Sequence, residues 1–284
     1  MRIPRLFVGG GVPIAARCRV MLPPAVAAHA ARALRLRDGS GVVIFDGAGG
    51  AYQGRLVMAG PRDGVAVAVS AACPPALQQR PTPRLVLAHA VCAATDDVVR
   101  SATELGVAAI VPVVSARSGG ARGSAAAACV GQDGSGASNS ARAQGLQERW
   151  RAIAIAACEQ SGRNTLPEIP PPVSFSAFLG PAAAAAAAAA RDGVVRLVAD
   201  PWGAPGLDRD GSGGGGAPAA VSGVTLLVGP EGGWTEGEVA AAERAGFVRF
   251  GAGPRVLRTE TAAVALLAIV QHTWGDMRFG SGAS

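Results

Sequence analysis

Residues Leu226–Glu238, LLVGPEGGWTEGE, combine the three features that decide the fold of this chain. A short apolar run ends at Val228, a glycine-rich loop follows over Gly229–Gly233, and Thr235 with Glu238 has the spacing of a helix-capping box. A strand, a glycine loop and a capped helix in this order are typical of an open α/β sheet, in which ligands bind beyond the carboxyl ends of the strands. Glycines there let a ligand approach the backbone closely. We therefore expect a small-molecule site at this loop, although a tight glycine turn without a ligand would have the same spacing.

Similar apolar runs occur on both sides of this segment, at Leu85–Val91, Ala108–Val114, Val194–Ala199 and Phe247–Phe250. Runs of this kind predict parallel strands that helices cover on both faces, and hence the α/β class. Two helices are predicted from residue spacing. Residues Glu148–Ser161 carry one apolar stripe, and residues 260–273 are apolar almost all round. The latter helix must be buried, either in the core or against a second subunit.

The first 80 residues follow a different pattern. The short runs Val42–Phe45, Ala51–Met58 and Val65–Ser70 are separated by glycine-rich turns, which predicts the β-hairpins of a small barrel or sandwich. Prolines at 81 and 83 mark a boundary, so we expect one domain over residues 1–80 and a second over 81–284. Three stretches rich in Gly, Ala and Ser lack periodicity, and we expect flexible insertions near 118–147, 181–191 and 202–222.

Composition excludes several kinds of chemistry. All 26 basic residues are arginine, so a lysine base, a Schiff base and a P-loop lysine are absent. The net charge of +6 is compatible with an RNA partner, although genomic nucleotide composition can also enrich arginine. The five cysteines form no CxxC pair, which argues against a disulfide framework or a metal site and favours a reducing compartment. No apolar run is long enough to span a membrane, so we expect no membrane partner.

A second glycine-rich loop occurs in GAGPRVLRTETA, residues Gly251–Ala262, again between a short strand and a helix. Two such loops at consecutive strand ends predict one shared pocket. Each loop contributes an acid, Glu231 or Glu260, and the second contributes Arg255 and Arg258. Taken alone, Arg258 and Glu260 would more often form a structural ion pair than a catalytic pair.

Together, GPEGGWTEGE and GPRVLRTETA resemble the signature pair of the RsmE-type ribosomal RNA methyltransferases of the SPOUT superfamily. The resemblance extends to further segments in the same order. These are MRIPRLF at 1–7, HAARALRLRDG at 29–39, FDG at 45–47, TELGV at 103–107, AACEQSGR at 156–163 and PEI at 167–169. It covers nearly the whole chain outside the three insertions.

The resemblance implies a PUA-like β-barrel followed by a trefoil-knotted α/β domain that binds S-adenosylmethionine and works as a homodimer. It implies methylation of N3 of a decoding-region uridine in small-subunit (16S) rRNA. The cytoplasm is the default location, with a plastid or mitochondrion as the alternative if the true N-terminus is longer. The cofactor pocket carries over onto Gly229, Pro230, Glu231, Gly232, Gly233, Gly253, Arg255, Val256 and Leu257, with Ala199–Asp200 as a third possible wall.

The expected chemistry is an in-line methyl transfer, for which an enzyme mainly positions two reactants. Arg258, or an arginine of the first domain, is the candidate catalytic residue, because a guanidinium could stabilise the anion that develops on the uridine. Glu260 could orient it, or could simply favour the start of a helix. Phosphate contacts are expected from basic side chains of the first domain and of one later helix, namely Arg2, Arg5, Arg32, Arg35, Arg37 and Arg100.

Two positions depart from the family pattern. Members commonly have a basic group near the end of the first strand of the second domain, where this chain reads AATDD at 93–97. Family members commonly have a lysine three residues before the Glu of the TELGV motif, where this chain has Ser101. Either the adjacent Arg100 substitutes, or activity and substrate choice have drifted. Two alternatives therefore stay open, a SPOUT methyltransferase acting on another RNA site and a non-catalytic RNA-binding ribosome-assembly factor.

Overall fold

The structure is a computed structural model that describes residues 3–9, 14–58, 64–74, 83–130, 137–180, 193–205 and 221–277. The chain divides into two units. The first comprises Met1–Arg80 with Ile155–Leu166, and the second comprises Pro81–Ala154 with Pro167–Ser284.

The first unit contains a five-stranded sheet in the order β1-β3-β4-β5-β2, in which β1 and β3 are parallel and the other pairs are antiparallel. Its elements are β1 (Arg5–Phe7), β2 (Arg19–Met21), α1 (Pro24–Ala28) continued by a π-helical turn (His29–Ala33), β3 (Gly41–Phe45), β4 (Ala51–Met58) and β5 (Val65–Ala72). Alternate residues point inward and form the core, including Leu6, Ile44, Leu56 and Val67. The three predicted hairpin strands are thus confirmed, whereas β1, β2 and α1 gave no periodic signal.

Residues 155–166 belong to the first unit, which differs from the expected domain of residues 1–80. The amide of Leu166 donates to the carbonyl of Gly47 at 2.9 Å, and the amide of Gly49 donates to the carbonyl of Asn164 at 3.2 Å. Cys158 is fully buried in a cluster with Phe45. These partners lie more than a hundred residues apart in sequence, so no local pattern could reveal them.

The second unit contains a six-stranded parallel sheet in the order β11-β9-β10-β6-β7-β8. Its strands are β6 (Arg84–Ala90), β7 (Ala109–Val114), β8 (Val173–Ser174), β9 (Val194–Pro205), β10 (Gly223–Val228) and β11 (Val248–Gly251). Its helices are α2 (Thr95–Glu104), α3 (Gly120–Val130), α4 (Ala137–Ser161), α5 (residues 175–180), α6 (Glu236–Arg244) and α7 (Thr259–Thr273). The predicted parallel α/β class is confirmed.

The predicted insertion at 118–147 is wrong as a loop, because α3 and the first turns of α4 cover most of it. In α3 the reason is the run Ala125–Ala128, since alanine has the highest helix propensity and can form a helix without an apolar stripe. The first turns of α4 extend the helix predicted from Glu148 towards its N-terminus. Trp202 lies in β9 rather than in a loop. The expected insertion at 181–191, and residues 206–220 of the third one, lie outside the described residues.

Large aliphatic side chains from the sheet and from α7 form the core of the second unit. Leu87 and Leu226 meet Leu266 and Leu267 there, and all four are at most 2% exposed. Helix α7 is therefore buried along one face, as predicted, while Val264 on its other side remains 38% exposed. Among the described residues, no helix is long and apolar enough to cross a membrane.

Candidate functional site

A cavity of about 960 Å³ lies in the second unit, at the edge where the parallel strands end. Its walls come from the ends of three strands and the residues next to them: 228–234 at the end of β10, 199–202 in the distal part of β9, and 250–252 with 255–260 from the end of β11 to the start of α7. Two residues after β6, Ala93 and Ala94, and Arg117 after β7 complete the lining. The carboxyl ends of parallel strands meet at one edge, so segments from distant parts of the chain surround one space.

The cavity brings together most of the predicted site. Ten of its lining residues were expected from the sequence as cofactor-binding or catalytic, namely Gly229, Pro230, Glu231, Gly232, Gly233, Arg255, Val256, Leu257, Arg258 and Glu260. The possible third wall, Ala199–Asp200, also lies in the lining. Gly253 lies outside it, and its φ of +88° instead gives it a turn role in the same loop.

The glycine loop after β10 is held from three sides by side chains or amides of other segments. The guanidinium of Arg117 donates to the carbonyl of Gly232 at 2.8 Å. The amide of Ala93 donates to the Glu231 carboxylate at 3.2 Å. The hydroxyl of Thr259 donates to the carbonyl of Gly229. The loop is thereby fixed relative to the ends of β6 and β7 and to the start of α7.

Glycine is required at two points of this loop for different reasons. Gly233 has a φ of +69°, a backbone conformation that other residues seldom adopt. At Gly229, a Cβ atom would lie 3.1 Å from the Trp234 ring. The loop therefore keeps its bare backbone towards the cavity.

The predicted capping box at α6 is present. The Thr235 hydroxyl accepts from the amide of Glu238, and the Glu238 carboxylate accepts from the amide of Thr235 at 2.9 Å. The other oxygen of Glu238 accepts from the amide of Ala116 at 2.8 Å. Glu238 thus both caps a helix and holds the segment that carries Arg117.

A buried histidine lies beneath the pocket. His89, at the end of β6, is 1% exposed, and its Nε2 lies 3.5 Å from the hydroxyl of Thr259. Its Nδ1 is buried without a hydrogen-bond partner among the described residues. Burial lowers the pKa of His89 to about 4, and the Glu231 carboxylate opposes this shift only partly. The ring is therefore neutral at physiological pH.

The candidate catalytic residues lie where α7 begins. Arg258 is exposed and occupies the N-cap position without a side-chain capping bond, and Glu260 lies in the first helical turn. No ion pair joins them among the described residues, and Arg258 is an exposed residue of the cavity lining. The first turn of α7 also presents backbone N–H groups and the positive end of the helix dipole at this wall.

Two buried thiols, Cys92 in the second unit and Cys158 in the first, are structural. Burial raises the pKa of Cys92 and of Cys158 to about 11, so neither forms a thiolate near neutral pH. No cluster of His, Cys, Asp or Glu with the arrangement of a metal site occurs in the described ranges.

The arginines expected to contact RNA have different surroundings. Arg32, Arg35 and Arg37 are exposed, as a phosphate-binding role requires. Arg5 instead contacts Asn164 and the carbonyl of Arg163, and its guanidinium lies 5.0 Å from the centre of the Phe45 ring, which makes it a structural residue of the first unit. Arg100 is exposed and forms a 2.5 Å ion pair with Asp97, away from the cavity lining. Arg2 lies outside the described residues.

Sequence reasoning missed four residues of the site: His89, Arg117, Trp202 and Thr259. Thr259 was part of the RTET motif but was given no role. Arg117 and Trp202 fell in or next to stretches that were predicted to be loops. A polar histidine inside an otherwise apolar strand was the one signal that could have identified His89.

Comparison with known proteins gives matches over both units. The family of the RNA methyltransferase domain matches residues 79–271, and that of the RNA methyltransferase PUA domain matches residues 22–69. The ribosomal RNA small subunit methyltransferase E of Mycobacterium bovis is 30% identical over 250 residues, which are 85% of this chain and 82% of that relative.

Solved structures agree with these matches. Ribosomal RNA small subunit methyltransferase E of Neisseria gonorrhoeae, bound to S-adenosylmethionine, is 28% identical with a TM-score of 0.73, covering 97% of this chain and 100% of that one. A Legionella pneumophila protein with bound S-adenosylmethionine is 25% identical with a TM-score of 0.77, covering 98% and 100%.

Proposed function

Because this chain belongs to the RNA methyltransferase family, with its PUA and methyltransferase domains, we propose that it is an S-adenosylmethionine-dependent enzyme that methylates small-subunit (16S) rRNA. We further propose N3 of a decoding-region uridine as the methylated atom, since the two signature loops resemble those of the RsmE type. The observation that carries the proposal is the cavity of about 960 Å³, whose lining contains both signature loops.

The cavity fits the cofactor chemically. Its glycine loop offers bare backbone, and its volume falls within the range typical of small-molecule sites. The loop residues Gly229–Gly233 and Arg255–Leu257 would hold S-adenosylmethionine, which supplies a methyl group on a sulfonium sulfur. Because the reaction is a displacement, the protein needs to position its reactants rather than form a covalent intermediate.

Arg258 is the residue that would act on the substrate base. Uridine N3 carries a proton at neutral pH, and a guanidinium next to it would stabilise the imide anion as that proton leaves. Of the two roles expected for Glu260, orienting Arg258 or favouring the start of a helix, we propose the second, because no ion pair joins it to Arg258 among the described residues. Its position in the first turn of α7 suits it to stabilise the helix N-terminus.

The proposal is tested by incubating the protein with S-adenosylmethionine and small ribosomal subunits that lack the mark, followed by mass spectrometry of the nucleosides. We expect 3-methyluridine at one site. Gly232→Val should weaken cofactor binding, since a side chain there meets the Arg117 side chain. Arg258→Ala should lower kcat by about 100-fold while changing cofactor affinity little.

The alternatives predict other products. A methyl group on a different atom or RNA would support a SPOUT enzyme with another target. Binding to the small subunit without any transfer would support the assembly factor, which the Ser101 departure favours. For the location, we propose the compartment in which small ribosomal subunits are assembled, the cytoplasm, and localisation of a tagged protein to an organelle would contradict this.

A further inference from the structure

Strand β9 separates from β10 and β11 after Val198 and pairs with β11 again at Ala204. Arg249 of β11 pairs with Val198, but the next residue, Phe250, pairs with Ala204. The pairing of β9 with β10 also stops at Val198. Residues 199–203 therefore have no ladder partner among the described residues and form a bulge, part of which lines the cavity.

Trp202 lies on this bulge and is 84% exposed, whereas Trp150 is fully buried in the core. Its backbone is nonetheless anchored. The amide of Trp202 donates to the Asp200 carboxylate at 3.0 Å, and Asp200 accepts from Arg249 at 3.3 Å. Glu243 holds Arg249 through a second pair at 2.7 Å. A large aromatic ring is thus presented to solvent from a fixed backbone at the cavity.

The surroundings of the ring suit an unpaired nucleotide. Single-stranded RNA is recognised by stacking of its bases on aromatic side chains together with contacts from cations to its phosphates. Arg117, Arg255 and Arg258 are exposed in the same lining, and Val256 adds an exposed aliphatic surface. All four surround the space in which the methyl group would be transferred.

We propose that Trp202 is a substrate-binding residue that stacks on the target base, or on the base next to it, when that nucleotide enters the cavity. This inference rests on the proposed function, because it takes the substrate to be RNA. A second copy of this chain is a poorer occupant. The chain carries a net charge of +6, so an arginine-lined rim would repel a like-charged copy and attract a polyanion.

The test compares Trp202→Ala, Trp202→Phe and Trp202→Leu, with Met277→Ala as a control of an exposed apolar residue outside the cavity. Five quantities are measured for each full-length protein: the KM and the kcat for unmethylated small ribosomal subunits, the Kd for the same subunits by filter binding, the Kd for S-adenosylmethionine by calorimetry, and the mass in solution. We expect the alanine and leucine variants to raise the KM and Kd for subunits by about tenfold to a hundredfold. The phenylalanine and control variants should stay close to the original protein, and cofactor affinity should not change.

Three results would overturn the proposal. If leucine served as well as phenylalanine, the contact would be apolar packing rather than stacking. A parallel loss of cofactor affinity would make Trp202 a wall of the cofactor site, and a change of mass would make it part of an interface between two copies. If the original protein binds subunits without methylating them, the proposed function fails, but the Kd series still decides whether Trp202 stacks on RNA.

Discussion

The hydroxyl of Thr259 connects the start of α7 to the glycine loop. Thr259 is only 5% exposed, and its hydroxyl donates to the carbonyl of Gly229. Removing this donor leaves a carbonyl at the cavity wall without its partner, and the loop loses one of its three anchors.

We therefore predict that Thr259→Val weakens the binding of S-adenosylmethionine by about fivefold to tenfold, as expected for the loss of about 1 kcal/mol. Thr259→Ser, which keeps the hydroxyl, should bind as the original protein does. Isothermal titration calorimetry measures both affinities. Equal weakening in the two variants would show that the methyl group, rather than the hydrogen bond, matters.

His89 gives the second prediction at this scale, a pH dependence of stability. Its pKa falls from 6.5 to about 4 on folding, so between these values the unfolded chain binds a proton that the folded protein does not. The free energy of unfolding is therefore highest, as far as this ring is concerned, above pH 6.5. It falls by on the order of 3 kcal/mol as the pH is lowered towards 4.

His89→Leu should remove that part of the pH dependence, because leucine fits an apolar buried site and does not titrate. Urea unfolding between pH 4 and 7 gives the free energy of unfolding of both proteins. If the free energy of unfolding changed equally with pH in the two proteins, a lowered pKa of His89 would be contradicted.

Residue spacing was enough to predict that the two signature loops share one pocket, because it indicates a strand end and a helix start on either side of each loop. Arg117 and Trp202 could not be predicted in the same way. Each depends on which strand lies next to β10 or β11, and strand order is set by packing across the whole sheet.

At the scale of elements, helix α6 shows how one side chain can connect two segments. The Glu238 carboxylate accepts from the amides of Thr235 and Ala116, whereas the Thr235 side chain caps only its own helix. The capping box was predictable because its residues are three apart. The hydrogen bond to Ala116 was not predictable, because Ala116 follows a different strand and lies 122 residues earlier in the sequence.

We predict that Thr235→Ala lowers the free energy of unfolding by about 1 kcal/mol, and that Glu238→Ala lowers it by about 2 to 3 kcal/mol. The larger loss is expected because Glu238→Ala removes two interactions, the helix cap and the hydrogen bond to Ala116, which holds the segment that carries Arg117. Chemical denaturation gives both values. Equal losses would mean that the bond to Ala116 contributes nothing to stability.

Helices α3 and α4 illustrate a limit of composition arguments. Low complexity and the lack of a stripe favoured a loop, yet alanine-rich segments form helices readily because alanine loses little side-chain entropy. Residues 120–130 therefore needed a helix-propensity argument, whereas residues 137–147 extend the helix that the apolar stripe over Glu148–Ser161 predicts.

At the scale of the whole molecule, the exposed side of α7 bears on the homodimer that we propose. Val264 is 38% exposed on a helix whose opposite face is fully packed. The exposed residues of this helix are Thr261, Val264 and His272, and Val264 is the apolar one that a symmetric contact with a second copy would cover.

We predict a mass near twice 28.1 kDa in sedimentation velocity, and a shift towards the monomer for Val264→Arg. Met58→Arg, at a residue of similar exposure in the first unit, is the matched control and should not change the mass. A monomeric original protein would contradict the homodimer.

The α/β class and the two-part organisation could be predicted from sequence, because buried parallel strands and hairpins leave different hydrophobic patterns. The order of the six strands could not. Nor could the return of the chain to the first unit at Ile155–Leu166, which depends on hydrogen bonds between distant backbone groups.

That return has a consequence for the order of events during synthesis on the ribosome. The first unit lacks part of its own core, including Cys158, until residue 166 has left the exit tunnel, by which time much of the second unit has also been made. Vectorial folding of the N-terminal segment is therefore incomplete until late in translation. A fragment ending at residue 80 would present the surface of Phe45 to solvent.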